Sequence, residues 1–357
     1  MIFGQNEILC LLMQTIAIQP LHKVLKTRTP KVWVTQFLIA ANILVFIAML
    51  MDGAGFWHSP NGVQLSWGAN FGPATQDGEW WRLGTAMFLH FGIVHLVLNV
   101  WSLWDVGQLV ERMYGRVRFS CIYLFSGLTG NLVSLVIQGN FAISGGASGA
   151  IFGIYGALLT YLWRERTSIA PHEFKWLFWG ALLFAFATII LGFIIPGIDN
   201  SAHIGGFISG VLFSIAFAQP LHLKIKPKKT SLISAGIIFL AISMLIINIP
   251  APKYSWRNEM LVRREINDFI QQDQAINRSW LEIMHEGKQG TKTFDALANQ
   301  IDTSISERYE DSFEKLSQLP SNPELPSAAE LENLLQYVQQ RKQASKILAD
   351  KLRNQKN

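Results

Sequence analysis

Seven stretches of mostly apolar residues, each about 20 residues long, fill most of the first 250 positions. A helix of about 20 apolar residues crosses the hydrocarbon core of a bilayer. Lipid offers no partners to irregular backbone, so such segments fold as helices. The sequence therefore predicts an all-α polytopic membrane protein. The stretches lie at about 34–52, 86–107, 118–138, 147–163, 176–196, 202–219 and 231–249.

Charge is distributed unevenly along the chain. Only 15% of the residues are charged, against about 25% in soluble domains. Of the 55 charged residues, 15 basic and 16 acidic ones fall in 251–357, where apolar residues recur at helical spacing. We expect a soluble helical tail there. The predicted regions are an N-terminal segment with an interfacial helix (1–33), a six-helix core (34–219), a basic linker with a seventh span (220–250) and the tail (251–357).

Basic residues mark alternate loops between the spans. They precede the first span and recur after the second, fourth and sixth. The loops after the first, third and fifth spans contain a single basic residue, Arg82. By the positive-inside rule the N-terminus is cytoplasmic, and seven spans then place the tail outside. No cleavable signal or transit peptide is visible, which favours a bacterial inner membrane. The net charge is +5, but the basic residues lie beside apolar runs rather than in one patch. This pattern argues against a nucleic-acid partner.

Three of the predicted spans contain polar residues, whose insertion into the bilayer costs free energy. His90, His95 and Asn99 lie in the second, Ser148 opens the fourth and His203 opens the sixth. All three spans run from outside to inside, so these side chains share one layer in the outer half of the bilayer. Intramembrane polar residues usually mark a functional site.

Small residues indicate how Ser148 and His203 could meet. Glycines recur four apart at Gly149 and Gly153 and at Gly206 and Gly210, a spacing that lets membrane helices approach closely. A serine hydroxyl needs a base to become a nucleophile, and a histidine supplies one.

The same layer contains groups that could stabilise the oxyanion of such a reaction. The Ser148 N–H, the Asn99 amide and the His95 imidazole are candidate donors to an oxyanion. Asp199 is expected at a loop edge, so we predict a Ser–His dyad rather than a triad. Cys10 and Cys121 belong to no cysteine–histidine cluster, and no metal or cofactor is expected.

With these residues the chain resembles the rhomboid family of intramembrane serine proteases. The resemblance covers about 34–219. The motifs that carry it are GxSG at Gly146, Ser148 and Gly149, AHxxG at Ala202, His203 and Gly206, HxxxN at His95 and Asn99 preceded by His90, Trp-Arg at Trp81 and Arg82, and GxxxExxxG at Gly107, Glu111 and Gly115.

The resemblance implies a six-helix rhomboid core, with the seventh helix and the tail outside it. It implies cleavage of transmembrane protein substrates near the outer face without a cofactor. Ser148 would be the nucleophile, His203 the base, and His95 and Asn99 part of the oxyanion hole. Some relatives carry a stacking tyrosine where this chain has Phe152. The fifth span would be the gate, with candidates Phe178, Trp179, Phe184 and Phe186.

Other interpretations stay open at this point. The protein could be a catalytically silent rhomboid-like adaptor that binds transmembrane clients, or a transporter using the three histidines. Trp81 could be an interfacial aromatic and Arg82 a tether of the first outer loop. Glu111 would pair with Arg112, Arg116 or backbone groups. The tail could recruit substrates, bind an extracytoplasmic partner or cap the fold.

Overall fold

The computed structural model describes residues 19–217, 221 and 228–355. The chain divides into two compact units, Met1–Ala251 and Pro252–Asn357. Within the described residues the structure is helical, and its sole β feature is an isolated bridge between Asn70 and Ser144. The interfacial helix, expected over residues 1–20, falls almost wholly outside the described residues, as does most of the basic linker after 219.

Eleven helices form the described part of the first unit. Five of them, α2, α6, α7, α9 and α10, are long and apolar enough to cross a membrane. The protein is thus a multi-pass membrane protein, while the count of seven spans stays a prediction. The helices are α1 Leu21–Arg28, α2 Trp33–Met51, α3 Asn61–Ser66, α4 Gly72–Gln76, α5 Arg82–Thr85, α6 Ile93–Tyr114, α7 Arg116–Gln138, α8 Ser148–Arg164, α9 Pro171–Ile194, α10 Asn200–Phe217 and α11 Lys228–Ile247.

The second span does not begin where the apolar run begins. Residues 86–88 form a 3₁₀ turn, and the helix starts only at Ile93 and continues to Tyr114. The intervening backbone pairs with the outer loop instead, since Phe91 O accepts from Ser59 N at 2.8 Å and Ile93 N donates to Phe56 O at 2.9 Å. The predicted extent of the second span, 86–107, was therefore wrong. His90 lies before the helix and not within it.

Helix α8 is the centre of the membrane unit. Thirteen of its 17 residues are buried, and it packs between α7 and α10. Helix α9 is the opposite case, because only Ala181 and Ala185 of its 24 residues are buried. A helix apolar all round with so little buried surface faces lipid. The candidate serine therefore begins the most enclosed of the long helices of the unit.

Glu111 joins α6 to the start of α2. Its carboxylate accepts from the backbone N–H of Val34 at 3.2 Å and of Thr35 at 2.8 Å, and from the Thr35 hydroxyl at 2.8 Å. A carboxylate at a helix N-terminus satisfies free N–H groups and complements the helix dipole. Of the partners considered for Glu111, the structure shows backbone groups rather than arginine. Gly107 lies against Thr35, and Gly115 ends α6 at φ +75°.

The first outer loop is folded around Arg82. This guanidinium is buried and donates to Leu65 O at 2.7 Å and Ala69 O at 3.1 Å, and it pairs with Glu79. The half-exposed Trp81 ring stacks against this guanidinium, with 4.9 Å between Arg82 Cζ and the ring centroid. Arg82 thus holds α3 and the following turn to α5.

Three long helices build the second unit around a core of its own. Helix α12 is Trp256–Gln289. Helix α13 runs as Phe294–Ile301, through a π-helical turn Asp302–Ser306, into Glu307–Ser317. Helix α14 is Ala328–Asn354. Buried Glu259 binds the start of α14 by accepting from Ser327 N at 3.2 Å and Ser327 Oγ at 2.8 Å.

Candidate active site

Ser148 is the first residue of α8, and His203 lies in the first turn of α10. The Ser148 Oγ and His203 Nε2 atoms are 2.9 Å apart. This approach depends on glycine, because a Cβ added to Gly206 would lie 2.0 Å from Gly149 O. One built on Gly210 would lie 2.1 Å from Gly153 O. The two backbones therefore touch, as the glycine spacing indicated.

The His203 imidazole is held by ring stacking. Phe152, one helical turn after Ser148, stacks on it with centroids 4.4 Å apart and planes 9° from parallel. The second nitrogen of the His203 ring, Nδ1, is buried and has no hydrogen-bond partner among the described residues. In the described part of the chain, no carboxylate accepts from this ring. The described residues thus bring a serine and a histidine together without a carboxylate on the histidine ring.

Gly146 brings the backbone close to Ser148 and His95. Its φ of +140° suits glycine, and its N–H is anchored to Ala86 O at 2.8 Å. A Cβ at this position would lie 2.9 Å from His95 Nε2 and 3.6 Å from Ser148 Oγ. A side chain would not fit here, so the Ser148 hydroxyl and the His95 Nε2 atom both lie close to the Gly146 backbone.

His95 and Asn99 are arranged as neighbours on α6. His95 Nδ1 accepts from Phe91 N at 3.4 Å, which leaves the ring proton on Nε2, the atom near Gly146. Asn99 Nδ2 donates to His95 O at 2.8 Å. Asn99 Oδ1 is buried and has no partner in the described residues. Both side chains therefore have donor capacity left.

His90 supports His95 rather than the dyad. Its ring is buried edge-on against His95 with centroids 5.0 Å apart, and its Nδ1 lies 3.3 Å from Phe88 O. The His90 carbonyl accepts from Gln64 Nε2 at 3.0 Å. His90 thus links the outer loop to the imidazole that faces Gly146.

Asp199 was expected only at a loop edge, and its hydrogen bonds were not predicted. It lies just before α10, and its carboxylate accepts from Ser134 Oγ at 2.5 Å, Ser144 Oγ at 2.6 Å, Gln138 Nε2 at 3.2 Å and Ala202 N at 3.0 Å. It caps the histidine helix and ties it to α7 and to the loop before Ser148. The partners come from separate segments with no shared spacing, so only the fold reveals them.

The other predicted residues lie away from the dyad. Gly107, Glu111 and Gly115 occupy the far end of α6. Trp81 and Arg82 organise the outer loop. Trp179 and Phe186 are about 60% exposed.

Two gate candidates differ in position along α8. Phe184 stacks on Tyr155, seven residues from the serine, with centroids 4.9 Å apart. Phe178 contacts Trp163, fifteen residues along α8 from the serine, with centroids 5.8 Å apart. Fifteen residues correspond to about 22 Å. Of the two, Phe184 is thus the nearer to the dyad.

The fold and the site define a class: a multi-pass helical membrane protein with a serine–histidine pair between two helices in contact. Residues 77–220 match the Rhomboid domain model. Rhomboid protease AarA of Providencia stuartii is 30% identical over 260 residues, 67% of this chain and 88% of the relative. The chain belongs to the rhomboid family, as the motifs predicted.

Other relatives share less of their length with this chain. Rhomboid protease GluP of Bacillus subtilis (strain 168) is 33% identical over 273 residues, which are 76% of this chain and 48% of that protein. RHOMBOID-like protein 1 of Arabidopsis thaliana is 40% identical over 139 residues, 39% of this chain and 35% of that protein. The chain thus spans half or less of these two relatives.

Proposed function

We propose that this protein is an intramembrane serine endopeptidase that cleaves transmembrane protein substrates with the dyad Ser148 and His203. The observation that carries the proposal is the 2.9 Å contact between Ser148 Oγ and His203 Nε2. Two relatives named as rhomboid proteases, GluP and AarA, support it.

The reaction is an acyl transfer in two steps. His203 Nε2 takes the hydroxyl proton as Ser148 Oγ attacks the scissile carbonyl. The tetrahedral intermediate collapses, the C–N bond breaks, and the imidazolium gives its proton to the leaving amine. Water then attacks the acyl-serine with His203 again as base, which releases the carboxylate product and restores the hydroxyl. Phe152 keeps the imidazole in place during both proton transfers.

The developing oxyanion lies near Gly146 and His95. The donors are the Ser148 N–H at the start of α8, the His95 Nε2–H and the second amide hydrogen of Asn99. The first N–H groups of a helix have no helical acceptor, and the dipole there favours negative charge. Losing one such donor costs about 2.7–4 kcal/mol of transition-state stabilisation.

The dyad works below the outer membrane surface. Helix α8 has 17 residues and so spans about 25 Å, less than the hydrocarbon thickness of about 30 Å. With its basic end, Arg164, at the cytoplasmic surface, Ser148 lies inside the outer half. A substrate helix must unwind there because its carbonyls are already hydrogen-bonded. We therefore expect small residues at the cut and helix-weakening residues after it.

Fluorophosphonate labelling of the purified full-length protein tests the dyad. Wild type should be labelled, and Ser148→Ala and His203→Ala should lose both labelling and cleavage of a transmembrane reporter by at least about a thousandfold. Ser209→Ala, which removes a hydroxyl bonded within α10 to Gly206 O, is the control and should be labelled like wild type. Labelling that persists in Ser148→Ala would identify another nucleophile. Folded wild type without labelling or cleavage would favour the adaptor.

A further inference from the structure

A basic cavity of about 470 Å³ lies at the end of the membrane unit remote from the dyad. The junction between α6 and α7 forms one wall, with Tyr114, Gly115 and Arg116, and the segment after α1 forms the other. Tyr114 is nineteen residues along α6 from His95, which corresponds to about 28 Å. The cavity is therefore a separate feature, close to one bilayer thickness from the candidate active site.

Three arginines, Arg28, Arg116 and Arg118, line the cavity. Arg28 Nη1 donates to Tyr161 Oη at 3.4 Å, Arg116 Nη2 to Lys31 O at 3.2 Å and Arg118 Nη1 to Tyr114 O at 3.3 Å. A guanidinium has five N–H donors, so Arg116 and Arg118 keep capacity for a ligand. Arg116 Nε is buried without a partner in the described residues.

Nothing in the described surroundings neutralises Arg116 or Arg118. Neither forms a salt bridge within the described residues, and no acidic residue lines the cavity. The cavity also contains the first turn of α7, a 23-residue helix whose N-cap, Gly115, provides no side-chain cap. Free N–H groups and arginines together are a site for a phosphate oxyanion.

The walls point to a phosphate carried by a lipid. Val117 lines the cavity and is 78% exposed, and Trp33, 54% exposed, lies 5.5 Å from the Arg116 guanidinium. Exposed apolar side chains beside arginines at the end of apolar helices are typical of the headgroup boundary. We propose that this cavity binds the phosphodiester headgroup of an anionic phospholipid. The proposal does not depend on catalysis.

Lipid retention by the full-length protein tests this directly. Protein reconstituted with phosphatidylglycerol and phosphatidylcholine is analysed by native mass spectrometry and titrated with short-chain phosphatidylglycerol. Wild type should retain phosphatidylglycerol in preference. Arg116→Gln/Arg118→Gln should weaken binding at least about tenfold. Arg166→Gln/Lys175→Gln removes equal charge from the loop and helix start after α8, and should change the affinity by less than about twofold.

A second pair of variants guards against misfolding. Val117 is exposed, so Val117→Asp and Val117→Asn should both fold, with unchanged thermal unfolding. Only the aspartate, which places a carboxylate in the cavity, should weaken phosphatidylglycerol binding. Equal loss in Arg166→Gln/Lys175→Gln, equal retention of phosphatidylcholine, or equal effects of both Val117 variants would overturn the site. Displacement of the lipid by millimolar inorganic phosphate would overturn the lipid as the source of the anion.

Discussion

Asp199 connects the segments that carry the two dyad residues. One carboxylate oxygen accepts from Ser144, four residues before the nucleophile, and the other accepts from Ala202 N, next to the base. Hydrogen bonds to a charged group contribute about 1.5–3 kcal/mol each. Because the partners belong to separate segments, Asp199 restricts the position of Ser148 relative to His203. In the proposed reaction Asp199 is thus a positioning residue, since its hydrogen bonds go to neither Ser148 Oγ nor His203 Nε2.

Asp199→Asn should lower kcat for reporter cleavage by about tenfold to a hundredfold, the range expected for a displacement of catalytic groups by about 1 Å. The KM should change little, since the Asp199 carboxylate accepts from Ser134, Gln138, Ser144 and Ala202 and not from Ser148 or His95. Steady-state kinetics in detergent separate the two constants. Asp52→Asn is the matched control, because Asp52 also accepts a hydrogen bond, from Trp67 Nε1 at 2.8 Å, but in the outer loop. A wild-type kcat in Asp199→Asn would show that the carboxylate only caps its helix.

The predictability of these residues differs for a physical reason. Ser148, His203 and Gly146 belong to short motifs in apolar surroundings, so their residue types alone indicate chemistry. Asp199 follows an apolar span and looks like an ordinary loop residue. Its hydrogen bonds to Ser134 and Ser144 depend on how α7 packs against α10, and no spacing in the chain encodes that contact.

At the scale of helices, the contact between α8 and α10 sets the distance between the dyad atoms. Gly206→Ala should destabilise the protein by about 1–3 kcal/mol, the usual cost of overpacking. The added methyl would meet Gly149 O, so the backbones must separate. Fluorophosphonate labelling should fall together with the thermal midpoint in detergent. Gly236→Ala in α11 has nothing within 4 Å of the added methyl and should retain both. Full labelling of Gly206→Ala would show that the dyad tolerates separation of the helices.

Helices α13 and α14 of the second unit are joined by Glu310. Its carboxylate accepts from Lys346 Nζ at 2.7 Å and pairs with Lys342 Nζ at 2.8 Å. These two ammonium groups lower the pKa of Glu310 to about 2. A depressed carboxylate pKa stabilises the fold above the unfolded value of about 4.3. That contribution is lost as the pH falls through about 2.

Calorimetry of the full-length protein tests this pH dependence. At neutral pH, Glu310→Gln should melt slightly earlier than wild type in the transition of the second unit. The difference should shrink as the pH is lowered from about 4.3 towards 2. Asp311→Asn removes an exposed carboxylate that forms no salt bridge within the described residues, and should show no such convergence. A difference between Glu310→Gln and wild type that is independent of pH would contradict the assignment.

At the scale of the whole molecule, hydropathy predicted the class of protein better than the ends of its helices. An apolar run reports transfer into lipid, and it does not report which backbone groups have partners elsewhere. The run from 86 therefore looked like a span, although its first residues pair with the outer loop. Helix α8 has 17 residues, fewer than an ordinary span. The number and direction of crossings depend on the bilayer, so they stay predictions.

Single-cysteine accessibility decides the topology. In a Cys10→Ser/Cys121→Ser background, three exposed positions are replaced: Lys31→Cys before α2, Asn61→Cys in the first outer loop and Lys288→Cys in the second unit. A membrane-impermeant maleimide applied outside intact cells or spheroplasts should label the second and third but spare the first until the membrane is opened. The reason is that α2 and then α11 must each cross if all seven apolar runs span the bilayer.

Labelling at Asn61→Cys without Lys288→Cys would mean that α11 does not cross, which leaves the second unit in the cytoplasm and removes any extracytoplasmic partner. Labelling of Lys31→Cys from outside would reverse the whole orientation and place the dyad in the cytoplasmic half.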